Sequence, residues 1–181
     1  MKVIVVISGF TQKNHEITGS RQLWRRLRME RDLCDGRDAL VYLREWNTDW
    51  KKFAKEINHL EPTEVLVCAY SWGGGYGMPQ FTKRLLAPVT CVLCDPVFRS
   101  KTPFGRWMAF MDRKIKVPEN VTVVKHFVQH SKWYELDGDP LKGGKSLCDP
   151  TLLDGYTHNE MDEAHEYHEA AATITKKFLG K

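Results

Sequence analysis

The sequence predicts an α/β protein: a doubly wound, three-layer sandwich with helices on both faces of a mostly parallel central sheet of about five or six strands. Short apolar runs recur at Val3–Ile7, Ala39–Leu43, Val65–Ala69, Val89–Leu93 and Val121–Val128. Their near-continuous hydrophobicity is that of strands covered on both sides. Segments of helical period separate the first four, which is the alternation that demands parallel strands with crossover helices. Right-handed crossovers then reduce the topology to a doubly wound sheet with expected strand order 2-1-3-4-5.

In chain order, the first helix is expected over Gln22–Glu30, the second over Asp49–Leu60 and the third over Gly74–Leu86, where Pro79 implies a delayed or kinked start. Residues 98–117 break the rhythm with Pro103 and Gly105. They read either as a short lid or pocket wall, or as a core-facing helix, since Phe104, Trp107, Met108 and Met111 fall at i, i+3, i+4 and i+7. His130–Gly155 reads as mostly loop, and a final helix is expected over Asn159–Phe178. At 181 residues the chain fits one compact domain, 1–181.

Composition narrows the function classes. A net charge of +4, spread along the chain, does not imply nucleic acid. The arginines at 21, 25, 26, 28 and 31 alternate with Leu23, Trp24 and Leu27, as on a solvated helix face. No stretch approaches the ~20 apolar residues of a membrane span, and Met1–Ile7 lacks the parts of a secretory leader. The five cysteines are odd in number and without framework spacing. Reduced thiols, and with them a cytoplasmic location, are expected. Cys91 and Cys94 form a CxxC, but within a strand they point to opposite faces.

Chemistry concentrates at Val65-Leu-Val-Cys-Ala-Tyr-Ser71-Trp-Gly-Gly-Gly75, a serine at the tip of a buried strand just before a glycine-rich start of a helix. Such an elbow lifts a hydroxyl clear of the strand ends, and the helix dipole there favours developing negative charge. Ala69 stands where the usual pattern has glycine. The glycines do not give GxGxxG, and Gly144-Lys145-Ser146 lacks the earlier glycine of a phosphate loop. A serine needs a base, and the late histidines are His158, His165 and His168. The last two are spaced i, i+3 within the final helix rather than as HExxH, so no metal is expected.

These features resemble the α/β-hydrolase superfamily, in particular its small, cap-poor lipase- and esterase-like members, over Lys2–Phe178. The matching features are Ser8-Gly9-Phe10 after the first strand, the Ala-Tyr-Ser-Trp-Gly elbow, Cys94-Asp95-Pro96-Val97 after the fourth strand, and Thr157-His158-Asn159 before the last helix. The resemblance implies Ser71 as nucleophile and His158 as base. It implies Asp95 as acid, as in pancreatic-type lipases, or Asp137 or Asp139 one strand later, as in most members. It also implies backbone N–H donors for an oxyanion from Trp72 and from Phe10, or Thr11 as a second choice. The expected function is hydrolysis of a small-molecule acyl ester without a cofactor. A thioester or amide substrate, or a non-catalytic binding role of the same cleft, are the alternatives. The oligomeric state is left open.

Overall fold

The computed structural model describes residues 1–10, 12, 17–34, 39–98, 114–129, 138–143 and 149–180. Its strands are β1 (Lys2–Ile7), β2 (Ala39–Arg44), β3 (Glu64–Tyr70), β4 (Val89–Cys94), β5 (Ile115–Val117), β6 (Val121–Val128), β7 (Leu141–Gly143) and β8 (Thr151–Leu152). The α-helices are α1 (Gly19–Leu33), α2 (Trp50–His59), α3 (Met78–Thr82) and α4 (His165–Leu179). Six strands form one all-parallel sheet in the order β2-β1-β3-β4-β6-β8, while β5 and β7 pair in a small sheet of their own. The order therefore differs from the expected 2-1-3-4-5. The five apolar runs do lie side by side, but β5 and β7 interrupt the numbering and β8 adds an edge strand. These three strands have two or three residues each, too short for a periodic signal.

Alternate residues of each central strand serve two cores, as the twofold period of a strand requires. Val3, Val5 and Ile7 of β1 and Val65, Val67 and Ala69 of β3 face α2 and α3, meeting Trp50, Phe53 and Phe81. Ile4 and Val6, with Leu66, Cys68 and Tyr70, face α1 and α4, meeting Leu23, Leu27 and Tyr167. Cys91 belongs to the first core and Cys94 to the second. Asp49 caps α2 by accepting from the N–H groups of Lys51 and Lys52, both at 3.1 Å.

Three expected elements take a different form. The helix after β3 opens as a π-helical turn over Gly73–Gly77, where the Met78 N–H reaches back to the Gly73 carbonyl, and only then becomes α3. Pro79 thus falls in the first turn of α3, directly after the π-helical turn. The final helix is split: a 3₁₀ turn, His158–Glu163, is separated from α4 by the extended Ala164. Within the stretch expected as a lid, residues 115–117 form β5, whereas residues 99–113 lie outside the described residues, as do Thr11, Asp137, residues 144–146 and Cys148. Among the described residues no helix is long and apolar enough to cross a membrane.

Candidate functional site

The connection from β1 leads to β2 on one side, and the connection from β3 leads to β4 on the other, so the winding reverses between β1 and β3. In open parallel sheets the crevice beyond the carboxyl ends of the strands at such a reversal is the habitual place for a ligand. Ser71 follows β3 there, opposite the Ser8-Gly9-Phe10 turn that follows β1. A Cβ on Gly9 would stand 3.2 Å from the Ser71 Cβ and 2.9 Å from the Tyr70 ring, so glycine allows the two turns to meet.

The backbone at Ser71 has φ = 50°, in the left-handed region that a non-glycine residue seldom adopts. Such a conformation costs about 1–3 kcal/mol and persists only where its surroundings impose it. Here the Ser71 N–H donates to the Cys94 carbonyl at 3.1 Å, and the Ser71 carbonyl accepts from Gly75 at 2.9 Å and Val97 at 3.0 Å. Gly73 completes the elbow, because a Cβ there would lie 2.6 Å from the carbonyl oxygens of both Ile7 and Ser8. Ala69 is accommodated because its methyl packs in the core on the α2 and α3 side.

Ser71 Oγ lies 2.9 Å from His158 Nε2, and His158 Nδ1 lies 2.5 Å from Asp95 Oδ2. All three side chains are buried, Asp95 completely. His158 is the first residue of the 3₁₀ turn, whose start is fixed by a capping box: Thr157 N and Oγ1 both donate to Glu160 Oε2, at 2.9 and 2.7 Å. Tyr70, one residue before the serine, donates its hydroxyl to the His158 carbonyl at 2.6 Å and stacks on the imidazole at 5.4 Å between centroids. Asp95 has φ = 42°, a second left-handed residue, with its N–H held by the Phe127 carbonyl at 2.8 Å. Its two oxygens face the Gln129 backbone and side-chain donors at 3.4 Å, and a Cβ on Gly138 would come within 2.6 Å of Oδ1. An imidazole held in this way at Nδ1, with a hydroxyl at Nε2, can take the hydroxyl proton while the carboxylate stabilises the resulting cation.

Of the alternative acids, Asp139 is buried and its Oδ2 accepts from the Phe98 N–H at 2.6 Å, with its own N–H on the Pro96 carbonyl at 2.7 Å. It braces the loop after β4. Trp72 is nearly buried and Phe10 is 49 % exposed; their rings meet at 4.7 Å, and Trp46 meets both, at 4.6 and 5.4 Å. Trp46 in turn meets Tyr76 at 6.1 Å, so four rings make an aromatic wall beside the serine. His168 is buried with Nε2 on the Asp162 carbonyl at 2.7 Å, and the exposed His165 lies 3.8 Å from Glu169.

A second polar cluster ties the turn after β1 to the 3₁₀ turn that carries His158. Gln12 donates from Nε2 to Asp162 Oδ2, and its Oε1 accepts from Ser20 Oγ at 2.7 Å and Gly9 N at 3.3 Å. Asp162 also accepts from the Ser20 N–H at 3.0 Å, at the start of α1. Burial raises the Asp162 carboxyl despite the hydrogen bonds from Gln12 and Ser20. Burial, then the charges of Asp95 and Asp162, push the Cys94 thiol well up, and its Sγ donates to the Met161 carbonyl at 3.1 Å. Cys94 is thus a packed thiol beside the site rather than a nucleophile within it.

Sequence reasoning did not single out Tyr70, Gln129, Gly138, Gln12, Asp162, Trp46 or Tyr76. Tyr70 had a signal, as the residue between Ala69 and the elbow serine. The others arrive from strand ends and loops that only the fold brings together. The chain matches no family model, no curated protein and no solved structure.

Proposed function

We propose that the chain is a serine hydrolase that cleaves a carboxylic ester of a short or medium acyl group. The observation that carries this reading is the hydrogen-bonded line from Ser71 through His158 to Asp95, built on a left-handed serine at the sheet's reversal point. Ser71 Oγ attacks the ester carbonyl carbon and gives its proton to His158 Nε2. The tetrahedral intermediate collapses, the C–O bond to the alcohol breaks, and the leaving oxygen takes the proton from His158. Water then attacks the acyl-enzyme, again losing a proton to His158, which returns it to Ser71 as the acid product departs. Asp95 keeps the imidazole in the tautomer that presents a bare Nε2 to the serine. The backbone N–H groups of Trp72 and Phe10 are assigned to the oxyanion, where each donor contributes about 2.7–4 kcal/mol to the transition state. The aromatic wall of Phe10, Trp46, Trp72 and Tyr76 offers an apolar bed for one side of the substrate.

The test is an active-site-directed fluorophosphonate on the full chain. Labelling is expected at Ser71, absent in Ser71→Ala, together with a fall of about 10⁶-fold in p-nitrophenyl acetate hydrolysis. Folded native protein that is neither labelled nor active, or a Ser71→Ala variant that turns over at the native rate, overturns the proposal.

A further inference from the structure

A cavity of about 620 Å³ lies between α3 and β5, and Tyr76, the far end of the aromatic wall, is among its lining residues. That volume is within the ~300–1,000 Å³ of small-molecule sites. Its upper end is formed by Gly75 and Phe98, next to the serine elbow: the N–H groups of Gly75 and Val97 both donate to the Ser71 carbonyl. Its floor is apolar, with the buried Leu85 and Ile115 and the ring of Pro79. Its remaining wall is basic. Lys83, Lys114 and Lys116 line it, and Glu119 is the one acidic residue among the described lining residues. Lys83 and Lys116 are exposed and form no ion pair among the described residues.

An apolar floor beneath an excess of ammonium groups selects for a ligand with both characters. We propose that this cavity binds an amphipathic anion, an unbranched aliphatic carboxylate whose tail lies over Leu85, Ile115 and Pro79 and whose head is held by Lys83 and Lys116. Lysines act as point charges that hold an anion without demanding a planar fork. The tail gains by leaving water for the apolar floor. The site goes beyond the hydrolase reading and does not depend on Ser71 being reactive.

Titration calorimetry of decanoate into the full chain tests it, with 1-decanol and acetate as probes of the tail and the head alone. Saturable one-to-one binding of decanoate is expected, with both controls at least tenfold weaker. The double variant K83Q/K116Q, made at exposed positions, should weaken decanoate at least tenfold with an unchanged melting temperature. Gln80→Trp, which fills the cavity from α3, should abolish binding, and Ser71→Ala should leave it unaltered. The proposal is overturned by the absence of saturable binding, by acetate or decanol binding as tightly as decanoate, by native affinity in K83Q/K116Q or Gln80→Trp, or by loss of binding in Ser71→Ala. Decanoate binding by a chain that fluorophosphonate leaves unlabelled would retain this site and remove the hydrolase reading; labelling of Ser71 without decanoate binding would do the reverse.

Discussion

Asp95→Asn is the substitution on which the proposed chemistry turns, because it preserves shape and removes only charge and proton pattern. The carboxylate is completely buried and lies 2.5 Å from His158 Nδ1. The Gln129 backbone N–H on the Oδ1 side holds an oxygen there, and the Gln129 side-chain amide, which donates to Oδ2, turns its oxygen to the introduced amide nitrogen, which takes the place of Oδ2 and donates to Nδ1. The imidazole must then carry its proton on Nε2, facing Ser71, and is no longer a base toward it. Unit charges about 4 Å apart at an effective dielectric near 20 attract by about 4 kcal/mol, which is the order of stabilisation the imidazolium forfeits. With the wrong tautomer added, a loss of about 10⁴-fold, or ~5.5 kcal/mol, in kcat is expected. The assay is p-nitrophenyl acetate hydrolysis alongside thermal unfolding, with Asp139→Asn as comparison. Because Asp139 braces the Phe98 backbone, its substitution should cost less than tenfold. Activity within tenfold of native for Asp95→Asn, or a larger loss for Asp139→Asn or Asp137→Asn in folded protein, would refute the assignment.

Other expectations follow from the same geometry. Gly73→Ala drives a methyl against two backbone carbonyls, so destabilisation of about 1–3 kcal/mol and a lower melting temperature are expected, with slower fluorophosphonate labelling. Thr157→Ala removes the cap of the turn that carries His158 and should lower stability by about 1 kcal/mol in a denaturant titration. Burial holds His126, 5 % exposed and with its Nε2 unpartnered among the described residues, down to about 4 against the pull of Asp95. Below its ordinary value of 6.5 the unfolded chain binds the proton and the folded one does not, so this residue removes stability as pH falls from about 6.5 to 4. The full effect is about 3 kcal/mol, partly opposed at the acid end by Asp162, whose raised carboxyl binds its proton more readily in the folded state. Urea titrations of native protein and His126→Asn across that range should show the slope in the first and a flatter profile in the second; identical profiles would refute the assignment to His126.

The sheet was readable because strands buried on both faces must be apolar at nearly every position. Val3–Ile7 and Val65–Ala69 are of that kind, and their alternate residues divide between the two cores. What escaped was short or locally ambiguous. β8 is two residues long at an edge, with Leu152 exposed, so no face of it is dictated by a core. The split between the 3₁₀ turn and α4 rests on the backbone of Ala164, a residue whose own helix propensity argues against a break. The capping box of Thr157 and Glu160 was present in the sequence and marks the start of the 3₁₀ turn, one residue before His158.

The candidate site was legible where one residue type is irreplaceable and opaque where support is shared. Serine, aspartate and histidine stand at strand and loop ends in the chain order that the resemblance implies, and the fold brings their polar atoms within hydrogen-bonding distance. Their supports are ordinary residues whose task is set by position alone. Gln129 is the residue after β6, and it meets Asp95 only because β6 lies beside β4. Gln12 and Asp162 are 150 residues apart in sequence, and their contact links the Gly9 turn to the histidine's turn. That link places the two sides of the cleft under one constraint: the turn that carries the proposed oxyanion donor and the turn that carries the base cannot separate without breaking a half-buried carboxamide–carboxylate hydrogen bond. Preorganisation of the cleft therefore resides in Gln12 and Asp162 as much as in the elbow, although neither touches the serine hydroxyl.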